Sequence, residues 1–120
     1  VSAQRKSLSE IAAETKLLSG ACQQGSINPD LLSGATFTVS NLGALGVEGF
    51  TPVINPPQTA ILGVGSIIER VRTVDGAIKV YPAMTLSLTY DHRAVDGAPA
   101  ARFILELTSA LENFTSLLAG

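Results

Sequence analysis

Reactive side chains are scarce in this chain. Its 120 residues include one histidine, His92, and one cysteine, Cys22. A lone cysteine excludes an intrachain disulfide and fits a reducing compartment. One His with one Cys falls short of an ordinary zinc ligand set, so no metal is expected. Charge is sparse too: 15% of residues are charged, the net charge is −2, and Lys and Arg do not cluster. Neither nucleic acid nor an anionic membrane surface is therefore an expected partner. No apolar run approaches the roughly 20 residues of a membrane span, and no signal peptide is visible at Val1. Also missing are a Gly-x-Gly-x-x-Gly turn, a phosphate loop ending in Lys-Ser/Thr and a Gly-x-Ser-x-Gly elbow. Gly43-x-x-Gly46-x-x-Gly49 lacks the strand, loop and helix order of a phosphate-binding turn.

What is present is apolar. A hydrophobic fraction of 46% and a positive mean hydropathy fit a folded chain rather than a disordered one. The length suits one domain with a core of ordinary size. With so little charge, apolar surface is expected to remain for a partner subunit. The chain opens directly into helical periodicity, as a cut inside a larger protein would.

Leu8, Ile11, Ala12, Thr15, Leu17 and Leu18 fall near one face at helical spacing, which predicts an amphipathic helix from about Ala3 to Cys22. Asn28-Pro29-Asp30-Leu31-Leu32 predicts a short helical turn, with Asn28 as cap and Pro29 at its first position. Thr36–Ser40 is β-branched and aromatic and reads as a strand. The glycine-rich stretch 41–49 and the prolines Pro52, Pro56 and Pro57 predict a long irregular loop, a feature often functional. Gln58–Val74 reads as one long strand, and Asp75-Gly76 as a two-residue hairpin turn. The return strand alternates, with Met84, Leu86, Leu88 and Tyr90 on one side and Thr85, Ser87, Thr89 and Asp91 on the other. Past Gly97, Pro99 opens a second amphipathic helix running through Phe103, Ile104, Leu107, Ala110, Leu111, Phe114, Leu117 and Leu118. The order describes an α+β fold, with helices packed on a mixed sheet.

His92 lies in Asp91-His92-Arg93-Ala94-Val95-Asp96-Gly97, where strand pattern gives way to helix pattern. An imidazole titrating near pH 6.5 can take and return a proton at neutral pH, so His92 reads as a general base or as a loop histidine that merely hydrogen-bonds. Asp96 reads either as the cap of the following helix or as a carboxylate paired with an arginine, Arg93 being nearest. Gly97 is expected to permit a tight turn. Ser40 ends the first strand, where its hydroxyl could donate to a developing oxyanion or bond locally. Asp91 and Thr89 are weaker candidates on the polar face of the strand leading to His92.

Three segments together resemble the catalytic domain of the dihydrolipoamide acyltransferases, the core enzymes of 2-oxo acid dehydrogenase complexes. They are Phe37-Thr38-Val39-Ser40-Asn41-Leu42-Gly43, then Ile54-Asn55-Pro56-Pro57-Gln58-Thr59-Ala60-Ile61-Leu62-Gly63-Val64-Gly65, then Leu86-Ser87-Leu88-Thr89-Tyr90 followed by the histidine motif. The resemblance covers essentially the whole chain but only the C-terminal part of that domain. Residues 1–120 are thus expected to be a partial domain, without the lipoyl and peripheral-subunit-binding domains.

The resemblance implies a coenzyme A-dependent acyltransferase fold like that of chloramphenicol acetyltransferase, in a homotrimer within a larger core. It implies His92 as general base and Ser40 as oxyanion donor, the two coming from neighbouring subunits, with Asp96 orienting the site. Coenzyme A would be a substrate, and the lipoyl group would arrive on a separate domain. The decarboxylase and dihydrolipoamide dehydrogenase components would bind through the absent domains. The expected compartment is a bacterial cytoplasm or a mitochondrial matrix. Acetyl is the first choice of acyl group, with succinyl and branched-chain variants sharing the motifs. Two other readings are a non-catalytic scaffold of the same fold and an antibiotic acetyltransferase. Retained His92 and Ser40 weigh against the first, and the Asn-Pro-Pro-Gln and Ser-Asn-Leu-Gly segments against the second.

Overall fold

The computed structural model describes residues 2–115. The chain divides between Thr36 and Phe37 into two compact units. In the first, helix α1 spans Leu8–Gln23 and starts at a capping box: Ser7 Oγ accepts from the Glu10 amide at 3.3 Å, while the Ser7 amide donates to Glu10 at 2.7 Å. This box, Ser7-x-x-Glu10, starts the helix at Leu8 rather than near Ala3. The preceding Ala3–Arg5 forms only a 3₁₀ turn. Lys6 reaches along the helix to pair with Glu14. A second 3₁₀ turn, Pro29–Leu32, follows Asn28, whose side chain accepts from the Asp30 amide as expected of the cap.

The second unit holds the sheet. Strand β1 (Thr38–Asn41) pairs in parallel with β2 (Ala60–Val64), and β2 pairs antiparallel with β5 (Leu86–Tyr90). Parallel neighbours need a crossover connection of a dozen residues or more, and residues 42–59 supply it without a long helix. The irregular loop is therefore required by topology. It is pinned at the end of β2: Ser66 Oγ donates to Gly43 O and the Ser66 amide to Val47 O, both at 2.7 Å. A Cβ on Gly65 would lie 2.0 Å from Glu48 O, and one on Gly43 would lie 2.7 Å from Gly65 O. Backbone meets backbone here, so these glycines serve packing density.

The strand expected over Gln58–Val74 is two strands. β2 stops at Val64, Gly65 packs against Glu48 while its amide donates to Thr85 O, Ser66 bonds the loop, and β3 begins at Ile68. The return strand is likewise interrupted at Met84 and Thr85, between β4 (Ala77–Ala83) and β5. β3 (Ile68–Val74) and β4 form a separate hairpin, closed as predicted at Asp75-Gly76 with φ of 52° and 78°. Helix α2 (Gly97–Glu112) lies against β5, turning Ala100, Ile104 and Leu107 inward. Phe103 meets Phe37 edge-on with ring centroids 6.1 Å apart. Leu117 and Leu118, expected to extend this helix, lie outside the described residues.

A core of ordinary size is not what forms. Among the described residues, only Ile61, Leu62 and Ala100 are buried hydrophobics, and no side chain is fully buried. Val71 and Val80, cross-strand partners, are each 64% exposed, and Ile78 is 76% exposed. The glycine contacts give a direct test. Gly65→Ala forces the loop off β2 and is expected to lower the melting temperature sharply. Gly20→Ala meets nothing within 4 Å in α1 and is expected to stabilise the helix by about 0.5–1 kcal/mol, read by thermal denaturation followed at 222 nm.

Candidate active site

His92 lies in the turn that leaves β5, two residues past Tyr90, with its ring exposed. The Tyr90 ring stands beside it, 5.9 Å between centroids and tilted by 37°. The turn itself is organised by Asp91. The Asp91 amide extends the β2–β5 ladder by donating to Thr59 O at 2.7 Å, and its carbonyl accepts from Ala94 and Val95 at 3.0 and 2.9 Å. Its carboxylate takes the Arg93 amide and Nε at 3.0 Å on Oδ1 and Nη2 at 2.8 Å on Oδ2. An Asp that binds the amide two residues on is a common turn former. Here the guanidinium adds a bidentate clasp.

Arg93 pairs with Asp91, not Asp96, because the nearer carboxylate already offers both oxygens to the fork. Asp96 does occupy the N-cap position of α2, in extended backbone conformation, but its side chain makes no capping hydrogen bond. Gly97 is the first residue of α2 and has no positive φ. A Cβ there would sit 3.4 Å from the Tyr90 hydroxyl, an ordinary contact, so the tight turn expected of it is absent.

Ser40 is half-buried in β1, in register with Gly63 of β2, which in turn faces Ser87 of β5. Among the described residues, neither the Ser40 hydroxyl, the His92 ring nor the Asp96 carboxylate has a side-chain hydrogen-bond partner. The local bonding that could have absorbed Ser40 and His92 is thus not seen. Nor does the structure bring the two together. Tyr90 pairs with Ala60, three residues down β2 from the Ser40 row, and His92 lies beyond that end. At about 3.3 Å per residue, roughly 10 Å of strand separates the two rows before the His92 turn begins.

Thr89 is half-buried within β5. Cys22 is a free, exposed thiol in the first unit. A cavity of about 550 Å³ between the hairpin and α2 is lined by Arg72, Tyr81, Met84, Leu86, Ile104 and Leu111 among others, and excludes both His92 and Ser40. Arg72 lies over the Tyr81 ring at 4.7 Å. Among the described residues, no group of three or more His, Cys, Asp or Glu could hold a metal ion, and no helix is long and apolar enough to cross a membrane.

A fold with helices and a mixed sheet is shared with the solved acetyltransferase cores. The chain belongs to the 2-oxoacid dehydrogenase acyltransferase (catalytic domain) family, whose profile matches residues 1–119. It is 40% identical over 116 residues to the dihydrolipoyllysine-residue acetyltransferase component of the acetoin cleaving system of Bacillus subtilis, covering 97% of this chain and 29% of that one. The corresponding component of the pyruvate dehydrogenase complex of Staphylococcus aureus is equally similar, with 27% of its length covered.

Among solved structures, the dihydrolipoamide acetyltransferase of Azotobacter vinelandii superposes with a TM-score of 0.88 at 38% identity. It was studied for the roles of a serine, a histidine and an asparagine in its catalytic mechanism. The cubic core of the pyruvate dehydrogenase multienzyme complex gives the same TM-score at 39% identity. Each match covers 95% of this chain and 47% of the other. The chain therefore spans about half of those solved chains and under a third of the curated relatives' length.

The Arg93 clasp holds the Asp91 carboxyl well below the usual carboxylate range, at about 2, chiefly through the side-chain hydrogen bonds and then the Arg93 amide. Because the folded-state pKa is depressed, the stabilisation this group lends is present above its ordinary pKa near 3.8 and is lost as pH falls through about 2. Carboxyl ¹³C NMR is expected to place the Asp91 midpoint near 2 and to return it toward 3.8 in Arg93→Ala.

Proposed function

We propose that this chain carries the acyl-transfer residues of a dihydrolipoamide acyltransferase, working between a lipoyl thioester and coenzyme A. The observation that carries the reading is the pair of uncommitted groups, His92 and Ser40, in the family's sequence setting and out of reach of each other within one chain. The Azotobacter serine and histidine are fifty-two residues apart and the asparagine follows four later; Ser40, His92 and Asp96 have the same spacings. The third residue differs, an aspartate here for an asparagine there. Acetyl is favoured as the acyl group because the Bacillus and Staphylococcus relatives are both acetyltransferases.

The chemistry follows from the two groups. A coenzyme A thiol, with a pKa near 8.5 by analogy with cysteine, is mostly protonated at pH 7. His92 takes that proton as sulfur attacks the acyl carbonyl of the lipoyl thioester, and Ser40 donates to the resulting oxyanion. Collapse breaks the bond to the lipoyl sulfur, which leaves with the proton from His92. Acyl-coenzyme A and dihydrolipoyl thiol are the products, and the enzyme ends unchanged. Asp96, at the start of α2 and four residues past His92, orients the site.

In this reading residues 1–120 form the C-terminal portion of the catalytic domain, and lipoyl and peripheral-subunit-binding domains lie outside it. The protein would act in a homotrimer within a larger core, in the cytoplasm of a bacterium like those of its relatives. A non-catalytic scaffold is the alternative, and the uncommitted His92 and Ser40 weigh against it.

Two variants in the native assembly test the reading. His92→Ala is expected to lower the rate of acyl transfer at least about 10²-fold, and Ser40→Ala by about 10²- to 10³-fold, both without loss of folding. Near-normal turnover by His92→Ala would sink the reading. Mixing the two inactive variants during assembly distinguishes a shared site from a single-chain one. Random trimers regain about a quarter of wild-type sites if His92 and Ser40 come from adjacent subunits, and none if they act within one chain.

A further inference from the structure

The residues on either side of His92 are bonded far more heavily than His92 itself. Every backbone and side-chain polar group of Asp91 is engaged: its amide with Thr59, its carbonyl with Ala94 and Val95, and both carboxylate oxygens with Arg93. Arg93 contributes its own amide as well as its guanidinium to that carboxylate, so a ring of bonds closes around the His92 backbone from both directions. The Asp91 side chain is only 25% exposed, whereas that of Arg93 is 91% exposed. An ion pair with one partner so fully in water adds little to global stability, since solvent screens it and holding the long side chain costs entropy. Its effect is local. The clasp removes backbone freedom at His92, whose ring has no hydrogen bond among the described residues.

We infer that Asp91 and Arg93 are positioning residues for His92: their bidentate pair fixes the turn that presents the imidazole, and acts on acyl transfer only through that histidine. The inference rests on the reading of His92 as the general base. A base displaced by about 1 Å loses on the order of 10²-fold in rate, so a turn loosened by less than an unfolding event still has a large kinetic effect. Tyr90, with its ring against His92, closes the third side. A competing role for so exposed a guanidinium is direct contact with an anionic substrate, and the kinetic split between binding and turnover separates the two.

The test compares Arg93→Met, Arg93→Lys, Asp91→Asn and His92→Ala. Turnover and the KM for coenzyme A are measured in the native assembly; His92 ring order and the exchange of the Ala94 and Val95 amides are measured by NMR on the full chain. Arg93→Met is expected to lower kcat by about 10- to 10²-fold with the KM for coenzyme A within about twofold of wild type. The His92 ring resonances should broaden, and the two amides should exchange faster. Arg93→Lys keeps the charge without the fork and should recover part of both effects. Asp91→Asn keeps an acceptor for the Arg93 amide and should fall between wild type and Arg93→Met.

A raised KM with kcat unchanged would make Arg93 a substrate-binding group and overturn the inference. So would a fall in kcat with His92 order and amide exchange unaltered, or no fall at all while His92→Ala is inactive. If His92→Ala itself keeps its activity, the general-base reading fails. The NMR response to Arg93→Met then still decides whether the clasp orders the turn.

Discussion

The parallel pairing of β1 with β2 is the constraint on which the rest of the larger unit depends. It obliges the chain to travel from one end of the sheet back to the other between Asn41 and Ala60, and the only material for that journey is glycine- and proline-rich. The loop is held because Gly43 and Gly65 let backbone approach backbone, and because Ser66 supplies both a hydroxyl and an amide to it. The same contact ends β2 and sends the chain into the hairpin. One close approach therefore fixes the crossover, the length of the central strand and the point where the second sheet begins.

Around that frame the polar groups divide into two kinds. Asp91, Arg93, Ser66 and the Thr38–Gln58 hydrogen bond at 2.5 Å are committed to holding segments in place. Among the described residues, Ser40, His92 and Asp96 make no side-chain hydrogen bond. The hydrogen bonds of the histidine turn lie on Asp91 and Arg93, while the imidazole meets only the Tyr90 ring among the described residues. The separation of the Ser40 row from the His92 turn is what the proposed sharing of a site between two copies rests on.

Periodicity made part of this legible. The second helix, the Asn28 cap, the Asp75-Gly76 turn and the placing of Ser40 and His92 at strand ends all follow from local rules, and the structure agrees with them. The differences between sequence and structure have separate physical causes. A continuous apolar run from Gln58 to Val74 looks like one strand because hydropathy cannot register that Gly65 and Ser66 are occupied by a distant loop. Periodicity alone carries α1 back to Ala3, whereas the capping box of Ser7 with Glu10, which stands in the sequence, starts it at Leu8. Strand alternation places Asp91 on the polar face of the return strand and says nothing of the turn it organises. The spacing of an Asp two positions before an Arg in a turn was the available clue to the clasp. The small core was hidden for another reason: composition reports how much apolar surface exists, not whether the chain at hand can cover it.

The hairpin leaves one practical consequence. Its tip, Asp75-Gly76, is exposed, sits at the far end of a two-stranded ribbon, and has its register set by seven paired positions rather than by anything the tip touches. Such a turn tolerates insertion, because the added residues displace no buried backbone. It is therefore the natural place to graft a fluorophore site or an epitope, giving a reporter well removed from the histidine turn.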